Sequence, residues 1–171
     1  MEARDHGRFE TLLLPHLDAA YDLARWLTKS DADAQDAVQE AYLRALRFFD
    51  GFRSGDARPW ILQIVRNCCF DLMRRSRAFE PLDDEAPLPD ERTPDPETKT
   101  LRGADAEALE KALDELPPEF REVIVLYELE ELPYREIARV TGVPIGTVMS
   151  RLSRARRRLR VALGAAAGAQ P

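Results

Sequence analysis

A chain of 171 residues holds one ordinary domain or two small ones, and 44% hydrophobic with 33% charged residues leaves a core to bury, which excludes a wholly disordered protein. No run of about 18 apolar residues occurs, and the opening MEARDHGRFE lacks the basic-then-apolar build of a secretory signal, so neither membrane insertion nor export is expected and a cytoplasmic location is. The net charge of -6 hides segregation: residues 1–78 sum to zero, 79–100 to -6, 101–133 to -7 and 134–171 to +7, so a local basic surface for nucleic acid survives the acidic total.

From Phe9 to about Lys29, the apolar residues Phe9, Leu12, Leu13, Leu17, Tyr21, Ala24 and Leu27 recur at helical spacing and predict one helix. Ser30 or Asp31 can cap the next, whose stripe is Val38, Ala41, Tyr42, Ala45, Leu46 and Phe49. Its opposite face carries Asp36, Glu40, Leu43, Arg44 and Arg47. A leucine among charges is either a lone exposed apolar residue or the centre of a protein interface with a polar rim.

Gly51 to Gly55 reads as a loop, after which Pro59 can occupy the first turn of a third helix. Its apolar side includes Trp60, Ile61, Ile64, Val65, Cys68 and Leu72; Gln63, Arg66, Asn67, Phe70, Asp71 and Arg74 fall on the other. Trp60 fits a core anchor better than a base-stacking platform. Between Arg58 and Arg77 the local net charge is +4. The three helices can enclose one core.

The adjacent Cys68 and Cys69 suit neither a disulfide framework nor a C-x-x-C site, so they are expected to fill core. With His6 and His16 the only histidines, no metal centre, cofactor site or catalytic set can be assembled, and an enzyme is not expected.

Residues 79–100 contain five prolines and no apolar periodicity, which predicts a flexible acidic linker and a domain boundary. Beyond it, Leu101, Asp105, Leu109, Ala112, Leu113 and Leu116 predict a helix ending at Pro117-Pro118, followed by one that buries Phe120, Val123, Ile124 and Tyr127. Leu132-Pro133 breaks that helix before a short one through Tyr134, Ile137 and Val140. Gly142 can take the left-handed conformation that ends it, and Pro144 can start the next helix a turn later: a helix-turn-helix corner.

In that last helix Val148, Leu152, Ala155 and Leu159 share a narrow inner arc. Ser150, Ser153, Arg154 and Arg157 point the other way, flanked by Arg151, Arg156 and Arg158. Taken alone, this is equally a solvated basic face or a major-groove reader; the preceding helix and glycine corner favour DNA. The fold class is all-α: two small helical domains, 1–78 and 101–163, joined by the linker, with residues 164–171 a flexible tail.

The segment from Leu116 to Arg160, with its Gly146-Thr147-Val148-x-Ser150-Arg151-Leu152-x-Arg154-Ala155-Arg156 string, resembles region four of bacterial sigma factors of the extracytoplasmic-function group. The resemblance implies recognition of the minus-thirty-five element by Thr147, Ser150, Arg151, Ser153, Arg154, Arg156, Arg157 and Arg158, with Ser150, Ser153 and Arg154 nearest the base edges. Many relatives carry a lysine or arginine where this chain has Met149, a departure that removes one phosphate contact. The stretch Asp33 to Leu46 resembles the region-two helix that docks on core RNA polymerase, implying docking through Asp36, Gln39, Glu40, Leu43 and Arg44.

Arg58 to Arg75 is similar to the segment that melts and reads the minus-ten element, implying single-strand contacts by Phe52, Arg58, Gln63, Arg66, Asn67, Phe70, Asp71, Arg74 and Arg75. The resemblance spans roughly residues 8–78 and 104–163. It further implies the clamp helices of the largest polymerase subunit and the flap of the second-largest, promoter DNA and an anti-sigma factor as partners. The acidic linker is then either a polyanion mimic in the polymerase channel or a solvated spacer. A helix-turn-helix regulator acting without polymerase is the competing function; it should carry a receiver or sensory domain upstream, where this chain instead offers the docking helix and the arginine-rich segment.

Overall fold

A computed structural model describes residues 3–76 and 105–168. The linker at 79–100, both boundaries assigned to it, Arg77, Leu101 and residues 169–171 lie outside the described residues. All regular structure among the described residues is helical.

The first apolar stripe makes two helices rather than one: α1 (Ala3–Leu13) and α2 (Leu17–Thr28) are separated by a 3-10 turn, Leu14–His16. Pro15 is the cause, since its ring collides with the preceding turn and it has no N–H to donate. The Leu17 N–H donates to the Leu14 carbonyl instead of continuing an α-helix. The Tyr42 hydroxyl donates to the Leu13 carbonyl at 2.8 Å, satisfying an acceptor that the break leaves over.

Lys29, at φ 58, ends α2 in the left-handed conformation. Ser30 then caps α3 (Asp31–Phe48), its Oγ accepting from the Asp33 N–H at 3.2 Å, while Asp31 and Asp33 complement the helix N-terminus. Ala34, Ala37, Ala41 and Ala45 are all buried on α3, so its backbone can lie close to its neighbours. Asp56 caps α4 (Ala57–Arg75) by accepting from the Arg58 N–H at 3.0 Å. Leu13, Leu23, Leu27, Ile61, Leu62 and Val65 form the centre of this four-helix block, and Cys68 and Cys69 are buried in it as expected.

The C-terminal block begins with α5 (Ala106–Asp114), capped by Asp105. Then α6 (Pro118–Ile124) widens into a π-turn, Val125–Leu129, in which the Glu130 N–H reaches the Val125 carbonyl at 3.1 Å. The helix-turn-helix follows as α7 (Tyr134–Thr141) and α8 (Ile145–Gly168). Gly142 joins them at φ 74, as its position in the sequence predicts. Because α8 runs to Gly168, it extends into the segment expected to be tail.

The two blocks touch. α7 lies along α4, and α6 lies against α2.

Candidate nucleic-acid interface

On α3, Asp36, Gln39, Glu40 and Leu43 are exposed and share one outer face, with Leu43 at 52% exposure. Arg44 closes this patch. Its guanidinium meets Glu40 at 2.9 Å one turn back and Asp71 of α4 at 3.5 Å, so it ties the proposed docking helix to the proposed melting helix. Asp71 also approaches Arg74 at 3.6 Å.

Six of the residues expected to read the minus-ten element separate into two groups. Asn67, Arg74 and Arg75 are exposed along the C-terminal half of α4. Arg58, Gln63 and Arg66 are half-buried, and both arginines meet carboxylates of the C-terminal block. Arg66 Nε and Nη2 donate to both carboxylate oxygens of Glu122 at 2.8 and 3.0 Å, a bidentate pair. Arg58 Nη2 donates to Glu136 of α7 at 2.9 Å.

Two expected contact residues lie inside the fold. Phe70 is 2% exposed and sits beneath the Arg66 guanidinium, 3.9 Å from ring centroid to Cζ; it props Arg66 rather than offering a face to a base. Phe52 is 7% exposed, stacked with Phe49 and against Trp60 at 5.0 Å, so it anchors the loop before α4 from within. Trp60 is half-buried and packs against the core through Phe49 and Phe52. Arg8 fixes the same loop, donating to the Phe52 and Arg53 carbonyls at 3.3 Å each and lying over the Phe49 ring.

On α8 the inner arc is as expected: Val148, Leu152, Ala155 and Leu159 are buried. Thr147, Ser150, Ser153, Arg154 and Arg157 are half-buried and Arg158 is exposed, its guanidinium 4.9 Å from the Phe120 ring. Ser150 Oγ donates to the Thr147 carbonyl at 3.1 Å. Arg156 pairs with Glu128 at 3.2 Å and lies over Tyr127, which orients it from the π-turn.

Arg151, expected at phosphate, is buried at 7% exposure, near enough to Glu122 to favour that carboxylate's charged form.

Sequence reasoning passed over Arg121, Glu122 and Glu136. Arg121 is 2% exposed and donates to the Leu116 carbonyl at 2.7 Å, the Asp114 carbonyl at 3.2 Å and, across the blocks, the Leu27 carbonyl at 3.0 Å. Glu122 is fully buried. Burial raises its pKa above the ordinary carboxylate value, and Arg66 and Arg151 oppose that rise. A signal existed: Phe120, Val123, Ile124, Val125 and Leu126 surround α6 with apolar positions, and charges on a helix buried all round must be paired inside.

These features define a two-block helical protein with a helix-turn-helix and a second arginine-bearing helix face. Residues 12–79 match the family described as Sigma-70 region 2, and residues 106–159 match Sigma-70, region 4. The chain is 38% identical over 165 residues to the ECF RNA polymerase sigma factor SigM of Mycobacterium tuberculosis, covering 95% of this chain and 80% of that protein. It is 38% identical over 160 residues to SigE of Mycolicibacterium smegmatis, covering 89% of this chain and 60% of the longer relative.

Among solved structures, the sigma factor RpoE from Bartonella quintana, in complex with the anti-sigma factor NepR, superposes with a TM-score of 0.70 at 30% identity, covering 92% of this chain and 97% of that one. CnrH, in complex with the cytosolic domain of CnrY, gives 0.66 at 26% identity, covering 92% and 88%. The chain belongs to the extracytoplasmic-function sigma factors of bacterial RNA polymerase. No helix among the described residues is long and apolar enough to cross a membrane.

Proposed function

We propose that this chain directs core RNA polymerase to a promoter class and opens it, doing no covalent chemistry itself. The outer face of α3, with Asp36, Gln39, Glu40, Leu43 and Arg44, docks on the clamp helices. The arginines and Asn67 of α4 hold the separated strand at the minus-ten element, and α8 enters the major groove at the minus-thirty-five element. The C-terminal block also meets the polymerase flap.

The single observation that carries this reading is the pairing of two basic helix faces, on separate blocks, with an exposed leucine set among charges on α3. Phosphate contacts by arginine position such a protein, while side chains at base edges specify the sequence. The complexes of RpoE with NepR and of CnrH with CnrY support control by an anti-sigma factor here too.

The test is run-off transcription with core polymerase on a promoter library. Chain-dependent initiation at a restricted set of promoters is expected, with Arg154→Ala and Asn67→Ala shifting that set. No chain-dependent transcript on any template, together with tight promoter binding by the chain alone, would reassign it to a free-standing regulator.

A further inference from the structure

The outward surface of α8 divides along its length. Residues 145–153 hold one charged side chain, Arg151, and it is buried, whereas residues 154–160 hold five arginines. What the leading half exposes instead is apolar: Ile145 at 46% and Met149 at 52% lie one helical turn apart on the same edge. We propose that Met149, with Ile145 behind it, determines promoter specificity by packing on the C5 methyl of a thymine in the minus-thirty-five element. The chain thereby selects a T·A pair where a basic side chain at the same position would hold phosphate.

The inference rests on the proposed entry of α8 into the major groove and names what its leading half recognises there. The major groove presents hydrogen-bonding atoms at every base pair, but its one apolar group is the thymine methyl. A thioether does not donate to phosphate and accepts only weakly, so against a guanine or cytosine edge it displaces water from polar atoms and returns nothing. Against a methyl it removes apolar surface on both sides from water. Methionine is unbranched, flexible and polarizable, so it can settle on a methyl whose position varies with groove geometry.

The fold does not need these two residues to be apolar. Val148, Leu152, Ala155 and Leu159 complete the inner arc, and neither Ile145 nor Met149 belongs to the core. The edge is also open to a duplex. A Cβ on Gly146 would meet open space, and the short Ser150 turns its hydroxyl back to the Thr147 carbonyl at 3.1 Å. Met149 is therefore the longest side chain on the outer surface of this half of the helix. The arginines that follow supply the cationic contacts that position the helix on the backbone.

The test is the binding of holoenzyme to promoter duplexes in which each thymine of the upstream element is replaced singly by deoxyuridine, which deletes the methyl and leaves the hydrogen-bonding edge intact. The duplex comes from the run-off library or, where no template fires, from selection with the full chain alone, so a failure of the sigma reading leaves this readout in place. At one thymine, deoxyuridine should weaken binding of the unaltered chain about fourfold, the scale of one buried methyl group. Met149→Ala should bind the two duplexes alike, and Ile145→Ala should narrow the gap. Met149→Arg should lose the preference for the methyl, while its affinity falls more steeply with salt by about one further phosphate contact.

An upstream element with no methyl-sensitive thymine overturns the proposal, as does a sensitivity that Met149→Ala leaves unchanged. A loss in Met149→Ala that is equal on thymine and deoxyuridine duplexes also overturns it and moves Met149 off the bases. Arg154→Ala separates the two readings. If it weakens binding while no thymine is methyl-sensitive, α8 lies in the groove and the methyl contact alone is wrong. If neither substitution changes binding, α8 does not read the groove and both readings fall.

Discussion

Arg121 of α6 donates to the backbone carbonyl of Leu27, 3.0 Å away at the end of α2, and so one side chain stitches the two sigma blocks together through the main chain. The same guanidinium also serves the Leu116 and Asp114 carbonyls. Arg121→Met keeps much of the apolar stem and removes every one of these bonds. It should destabilise the chain by about 3 kcal/mol, since buried carbonyls are left without donors. Urea unfolding measures this; a loss below about 0.5 kcal/mol would show that water replaces the guanidinium at no cost.

The Tyr42 hydroxyl gives a pH dependence with a definite sign. Burial pushes its pKa up from 10.0 to about 12. A group whose folded pKa is raised lends stability that is fully present below the unfolded pKa and is lost as pH rises through the folded one. The chain should therefore lose stability between pH 10 and about 12, and Tyr42→Phe should lose less over that window. At neutral pH the same substitution costs about 1 kcal/mol through the orphaned Leu13 carbonyl. Denaturant midpoints of both chains from pH 7 to the alkaline limit would decide; parallel curves would remove Tyr42 from the titration.

Gly142 turns the corner between α7 and α8 at φ 74, and a Cβ placed there would meet open space. The cost of Gly142→Ala is then backbone conformation alone, about 1–2 kcal/mol. A thermal melt should shift downward accordingly while the chain keeps its helical content. A melt that does not move would mean that the corner relaxes to a negative φ.

Arg154→Ala should cost about 1–3 kcal/mol at one matching base pair of the upstream promoter element and little elsewhere. Binding of the holoenzyme to a set of single-base promoter variants reads this directly. A loss spread evenly over all variants would place Arg154 at phosphate.

The parts of the molecule legible in the sequence are those set by local periodicity. The arc Val148, Leu152, Ala155, Leu159 and the Gly142 corner follow from spacing within about 20 residues, and the outward placement of Leu43 follows from the stripe opposite it. The break at Pro15 is equally local; the apolar stripe conceals it, although Leu17, counted in that stripe, is exposed once the 3-10 turn intervenes.

Phe52, Phe70 and Arg151 are different. Periodicity puts Phe70 on an outer face of α4, but in the structure it is buried beneath Arg66, whose guanidinium is held by Glu122 of the other block. Arg151 is drawn inward by a carboxylate 29 positions earlier in the chain, and Glu122 itself is paired with a residue 56 positions away. Contacts of that range leave no mark on helical spacing.

Arg44 is shared between Glu40 on α3 and Asp71 on α4. A partner that draws Glu40 away leaves the guanidinium to Asp71 alone, and a strand that displaces Asp71 returns it to Glu40. The two surfaces are therefore thermodynamically linked: whatever free energy engagement at α3 adds to or subtracts from engagement at α4 is felt equally in the reverse direction. On the proposed function, polymerase capture and strand capture are one coupled equilibrium, with a single side chain as its smallest hinge.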